Sequence, residues 1–152
     1  MNVYDNLKAL DLTLPPPPEK GGIYAPAKLI EGGMLYISGC GPVIDQPIAG
    51  KLGAEFTLDY GTHFAQNCML NVLAVAQAAI GDLNRIQDCV KIFVLVASAD
   101  TFYSQPQVAN GASGLLVSLF GEQAGTPTRS AIGVNALPGN IPVEVEAIFR
   151  VG

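Results

Sequence analysis

The sequence predicts an α+β fold, a mixed β-sheet with two helices packed on one face. Three observations carry this expectation. Short apolar stretches at Met34–Ser38, Val90–Ala99 and Val143–Ile148 read as strands. A longer stretch, Asp59–Ile80, repeats apolar residues at spacings of three and four and reads as a helix. The elements follow in the order β-β-α-β-α-β-β, which leaves one sheet face without helices. At 152 residues the chain is expected to form one domain, with residues 1–20 as a helical and proline-rich extension.

Asn2 is placed to cap a short helix carrying Val3, Tyr4, Leu7 and Leu10 on one face. The run Pro15-Pro16-Pro17-Pro18 then forces an extended segment, because each proline fixes φ and disfavours helix before it. That run reads as a rigid connector, or as a segment that a proline-binding partner recognises. Ile23–Glu31 and Met34–Ser38 read as a β-hairpin turned at Gly32-Gly33. A Gly- and Pro-rich loop, Gly39–Ala54, leads into the main helix, which stops at Gly81. Phe64, Cys68, Val72, Val75, Ala76 and Ala79 form its expected buried stripe.

Val90–Ala99 is nearly all apolar and is expected to be a strand covered on both faces. Pro106–Phe120 follows as a second helix, weakened at its start by Gly111 and Gly114. The chain ends in two strands expected to be joined by a tight turn at Pro138-Gly139. The first opens with Arg129. The second places Glu144, Glu146 and Ile148 on one face and Val143, Val145, Ala147 and Phe149 on the other. Such a hairpin sets Arg129 about four rungs, or ~13 Å, from the level of Glu144. A ligand or water between them then fits better than a direct ion pair.

Composition narrows the function classes. Charged residues make up 14% of the chain and apolar residues 49%, so part of the surface is expected to be buried by self-association. The net charge is −5 and the eight basic residues stand singly, which argues against a nucleic-acid groove. The longest apolar runs are interrupted and fall short of a membrane span, and the first residues lack the apolar core of a signal peptide. Cys40, Cys68 and Cys89 lack Cys-x-x-Cys spacing and read as reduced thiols of a cytoplasmic protein. The single histidine, His63, cannot build a metal site alone. Its pairing with Cys40 as a nucleophile is an open but less common arrangement than a buried, inert thiol.

An arginine and two glutamates set in apolar strands point to chemistry. A guanidinium forks onto carboxylates, and a nearby carboxylate positions or deprotonates water. The segment Arg129-Ser130, Leu137-Pro138 and Val143-Glu144-Val145-Glu146-Ala147-Ile148, with Glu144 fifteen positions after Arg129, resembles the RidA/YjgF reactive-intermediate deaminase family. Gly22-Ile23-Tyr24, Ser38-Gly39 with Pro42, Asn67, Asn71 and Gly81-Asp82-Leu83 extend the resemblance. Asn110-Gly111-Ala112-Ser113 and Phe120-Gly121-Glu122 look like a divergent branch, often named endoribonuclease L-PSP-like.

The resemblance implies a chorismate-mutase-like fold, a homotrimer with sheets packed inward, and sites in the clefts between subunits. It also implies hydrolysis of small enamines or imines to keto acid and ammonia, without cofactor or metal. Arg129 would hold the substrate carboxylate, Glu144 the water, and Tyr24, Ser38, Gly39, Cys40 and Asn110 the rest of the ligand. Four positions depart from the family pattern. Ala25-Pro26 replaces Ser-Gln after the tyrosine, Cys40 replaces a common glutamine, and Ala131 stands where deaminases often carry cysteine. These departures leave a non-catalytic carboxylate-binding module as the alternative, with endoribonuclease activity the weakest reading.

Overall fold

The computed structural model describes residues 2–152; Met1 of the expected extension lies outside them. The chain forms helix α1 (Val3–Ala9), strands β1 (Ala27–Ile30) and β2 (Met34–Cys40), helix α2 (Leu58–Ile80), strand β3 (Ile86–Ala97), helix α3 (Gln105–Gly125), and strands β4 (Thr128–Val134) and β5 (Val143–Val151). The five strands make one mixed sheet in the order β1-β2-β5-β3-β4, with β3 and β4 parallel and the other pairs antiparallel. Helices α2 and α3 cover one face, as the apolar periodicity predicts.

Each helix is fixed by local chemistry. The Asn2 side chain accepts from the Tyr4 N–H and caps α1, whose Val3 and Leu7 are buried, while Leu10 lies past the last turn and is exposed. Helix α2 ends where expected. The Gly81 N–H closes the last turn on the Gln77 carbonyl at 2.7 Å. Its buried surface is wider than the expected stripe, because the helix is wedged between the sheet and α3: Met69, Leu70, Leu73 and Ala74 are buried too, and Ala79 is exposed. Gly111 serves α3 rather than weakening it. A Cβ there would overlap the Thr62 carbonyl of α2, so the missing side chain is what lets the two helices touch. Regular helix in α3 breaks at Gly121, then resumes for one more turn.

The sheet corrects three expectations. Strand β1 starts at Ala27, not Ile23, since Pro26 has no N–H for a ladder, though its carbonyl accepts from the Ser38 N–H at 2.9 Å. Strand β3 is covered on one face only. Ile92, Val94 and Val96 are buried under the helices, while Phe93 and Leu95 on the reverse face stay partly exposed. Most consequential, β4 and β5 are not a hairpin. Strand β3 lies between them, and residues 135–142, with a 3₁₀ turn at Pro138–Asn140, carry the chain past its end. The apolar face of β5 (Val143, Val145, Ala147, Phe149) is fully buried and needs a neighbour on each side. Strand β4, with mostly exposed residues, takes the edge.

The helix-free face carries Ile30, Met34, Tyr36, Phe93, Leu95, Ile132 and Ile148 beside Glu144 and Glu146. Ile30, Tyr36 and Ile132 are each more than 40% exposed, so this face, which also carries Lys28, Lys91 and Arg150, is an uncovered surface rich in apolar side chains. Among the described residues, no helix is long and apolar enough to cross a membrane.

Candidate functional site

Strand alternation and register place the predicted site residues in two groups. The first gathers at the C-terminal end of β2. Tyr24, Ser38, Gly39 and Cys40 line one cavity of about 130 Å³, with Pro26, Gly41, Pro42, Val43 and Val75. The Ser38 hydroxyl donates to the Ala25 carbonyl at 2.7 Å and ties the Tyr24 segment to the strand. A β-bulge between Ile37 and Cys40 breaks the β2–β5 register at this point, which frees the backbone around Gly39 from regular pairing.

Glu144 stands directly behind Gly39. A Cβ on Gly39 would run into the Glu144 carboxylate, so only glycine lets the acid lie flat against β2. Glu144 is half-buried, and desolvation, with a smaller contribution from the neighbouring Glu146, raises its pKa above the ordinary carboxylate range. Glu146 is on the same sheet face but exposed.

The surroundings of Cys40 are not those of an activated thiol. Burial, reinforced by the Glu144 carboxylate, pushes its thiol up to about 11, so the reactive thiolate is scarce at neutral pH. His63 does not reach it. The histidine is exposed and lines a separate cavity with Gln46, Asp59 and Tyr60. All three cysteines are free and buried. Among the described residues no cluster of His, Cys, Asp or Glu could hold a metal ion.

Arg129 and Asn110 form the second group. One terminal nitrogen of Arg129 donates to Asn110 Oδ1 at 2.7 Å and to Ser113 Oγ at 3.2 Å, both on α3. The turn assumed from sequence would have put Arg129 opposite position 148. The sheet instead aligns it through Ile92 with Ala147, while Glu144 aligns through Leu95 with Ile132. Arg129 and Glu144 are therefore three rungs and two strands apart, about 14 Å, and alternation puts them on opposite faces. No ion pair joins Arg129 to either glutamate among the described residues. The guanidinium is exposed, and its other terminal nitrogen makes no hydrogen bond among the described residues.

Two features of this cavity were not assigned from sequence, although Asn67 and Asn71 were named there as part of the resemblance. Glu19 and Lys20, at the end of the proline run, also line the Tyr24 cavity. Asn67 and Asn71 brace its far wall. Asn71, fully buried, donates to the Gly41 carbonyl at 3.2 Å, and Asn67 Oδ1 accepts from the Val43 N–H at 2.8 Å. An asparagine one turn after another on an apolar helix face was the available signal, since buried amides seek partners; the Asn71 nitrogen finds them, while its Oδ1 has none.

Comparison with known proteins gives a consistent picture. The family model described as endoribonuclease L-PSP matches residues 17–151. Protein TCP17 of Trypanosoma cruzi is 40% identical over 147 residues, covering 95% of this chain and 91% of that protein. The Agrobacterium tumefaciens protein Atu1372, whose function is unknown, is 35% identical with a TM-score of 0.87, covering 98% of this chain and 91% of that one. RidA from an Antarctic Psychrobacter species is 27% identical with a TM-score of 0.59, covering 88% of this chain and 93% of that one.

Proposed function

This chain belongs to the endoribonuclease L-PSP family, the RidA/YjgF group, and on that premise we propose that it hydrolyses small enamine and imine intermediates to a keto acid and ammonia. Glu144 carries the reading. It is a half-buried carboxylate with a raised pKa, packed against a glycine whose strand lines a cavity with Tyr24, Ser38 and Cys40. A base needs both properties, a position beside the ligand and an affinity for a proton nearer to neutral pH. Glu144 orients the attacking water, Tyr24 and the Ser38-Gly39 backbone orient the imine, and Arg129, held by Asn110, grips the substrate carboxylate.

Arg129 and Glu144 face opposite sides of the sheet, so the working site lies in a cleft that a second copy closes. The uncovered apolar face supports such an assembly, and the family resemblance favours a homotrimer. Imines hydrolyse in water unaided, so positioning and proton transfer supply enough acceleration. Ligand binding without turnover is the second reading, and Cys40 favours it: an inert thiol stands where the family commonly has glutamine. The net charge of −5 gives endoribonuclease activity no support.

The test is to generate 2-aminoacrylate with a pyridoxal-phosphate enzyme and follow pyruvate and ammonia together. The reading expects equimolar release, faster with the protein than without. Unaltered release in the presence of folded, assembled protein would overturn it in favour of the binding reading.

A further inference from the structure

The cavity at Tyr24 has a cation of its own, and the strap that delivers it is built to hold position. Helix α1 is pinned to the body of the protein. The Asn6 side chain donates to the Leu119 carbonyl at 2.8 Å, the Leu83 N–H donates to the Tyr4 hydroxyl at 2.9 Å, and Leu7 is buried. From there the proline run allows the chain few conformations and carries it to the cavity, where Pro18, Glu19 and Lys20 join the lining. The strap is then clasped by the cavity's own tyrosine, as the Gly21 N–H donates to the Tyr24 hydroxyl at 3.1 Å.

Lys20 arrives without a partner that neutralises it. The ammonium has one long contact, 3.4 Å to the Tyr24 carbonyl, and no ion pair within the described residues, Glu19 included. Glu19 lines the cavity beside it, and Glu144, outside the lining, lies on the other side of Gly39. Arg129, on the edge strand β4, lines none of this cavity. In the cleft that a second copy closes, the site then holds two cations from distant parts of the chain, Arg129 for the carboxylate beside the imine and Lys20 for something else.

We infer that Lys20 is a specificity residue that binds a second anionic group, so that the preferred substrates are imines or enamines bearing a side-chain carboxylate. The inference rests on the imine-hydrolase reading and sharpens its substrate class. Stable keto-acid products serve as probes: 2-oxoglutarate and 5-methyl-2-oxohexanoate, which replaces the distal carboxylate by an isopropyl group of the same shape. Affinities are measured by calorimetry for the wild type, Lys20→Met and Lys20→Arg.

The wild type is expected to prefer 2-oxoglutarate by about fivefold, the upper range for a solvent-accessible ion pair. Lys20→Met should bring the ratio to about one, and Lys20→Arg should keep it, since the charge is retained. Equal affinities in the wild type, or a preference that survives in Lys20→Met, would overturn the role of Lys20 and leave the imine reading standing. Binding of neither acid would overturn both. Lys20 is exposed on the strap, so loss of the fold does not confound the methionine variant.

Discussion

Gly39→Ala separates the site from the fold more cleanly than any change to a charged residue. The added methyl would overlap the Glu144 carboxylate and come within 2.9 Å of its Cδ. No such contact is sustainable, so the acid must swing away. What moves is the far end of a flexible, half-buried side chain, and the Gly39 backbone is not in the left-handed region. The stability cost is therefore at the low end for an overpacked site, about 1 kcal/mol. For a chain of this length that is a fall in Tm of about 3 °C, taking the usual unfolding entropy per residue.

The effect on turnover should be of another order. Displacing a positioned base costs about 100-fold or more in rate, so Gly39→Ala should resemble Glu144→Gln in keto-acid release while melting close to the wild type. The double variant decides the cause. If the methyl acts by displacing Glu144, Gly39→Ala adds little once Glu144 is already glutamine, because residues that work as a unit are not additive. Full activity in Gly39→Ala, or a further 100-fold loss in the Glu144→Gln background, would refute the placement of Glu144 as the base behind Gly39.

Three further outcomes are expected. Because Glu144 is raised above its unfolded value, its carboxyl form favours the fold at low pH and that contribution is lost as pH rises through the folded pKa. The wild type should therefore lose stability relative to Glu144→Gln from about pH 4 upward, measured by urea unfolding; a constant difference would contradict the raised pKa. Gly111→Ala should lower Tm by more than about 6 °C, since its Cβ meets the Thr62 carbonyl and the helices must part by an overpacking strain of about 2 kcal/mol; an unchanged Tm would show that α2 and α3 do not touch there. Cys40 should resist iodoacetamide at neutral pH until the protein is unfolded, because burial holds its thiol near 11. Rapid labelling of native protein, followed by mass spectrometry, would return the cysteine to consideration as a nucleophile.

What the sequence made legible was the local physics. Helix α2 was read to within one residue of its start because it is long, strongly periodic and closed by Gly81. The faces of β5 were read correctly, since alternation of Val143, Val145 and Ala147 against Glu144 and Glu146 does not depend on which strands lie beside it. The site residues at Tyr24, Ser38, Gly39 and Cys40, named from the family resemblance, share a cavity because they sit near one strand end.

Long-range pairing was not legible. Strands β4 and β5 are joined by a short turn-like segment that mimics a hairpin, and nothing local reveals that β3 inserts between them. That insertion is what sends Arg129 and Glu144 to opposite faces. The destination of the proline run was equally hidden: four prolines declare an extended backbone, but not that it leads to Tyr24. Lys20 thus reaches the Tyr24 cavity through tertiary structure alone.

The central claim is that Arg129 and Glu144 serve one imine-hydrolysing site. The most direct measurement is kcat/KM for pyruvate release from 2-aminoacrylate generated in situ, for the wild type and Arg129→Ala side by side. The account predicts acceleration by the wild type that disappears in the variant, with the two proteins equally folded and equally assembled. Acceleration that survives the loss of Arg129 would contradict it.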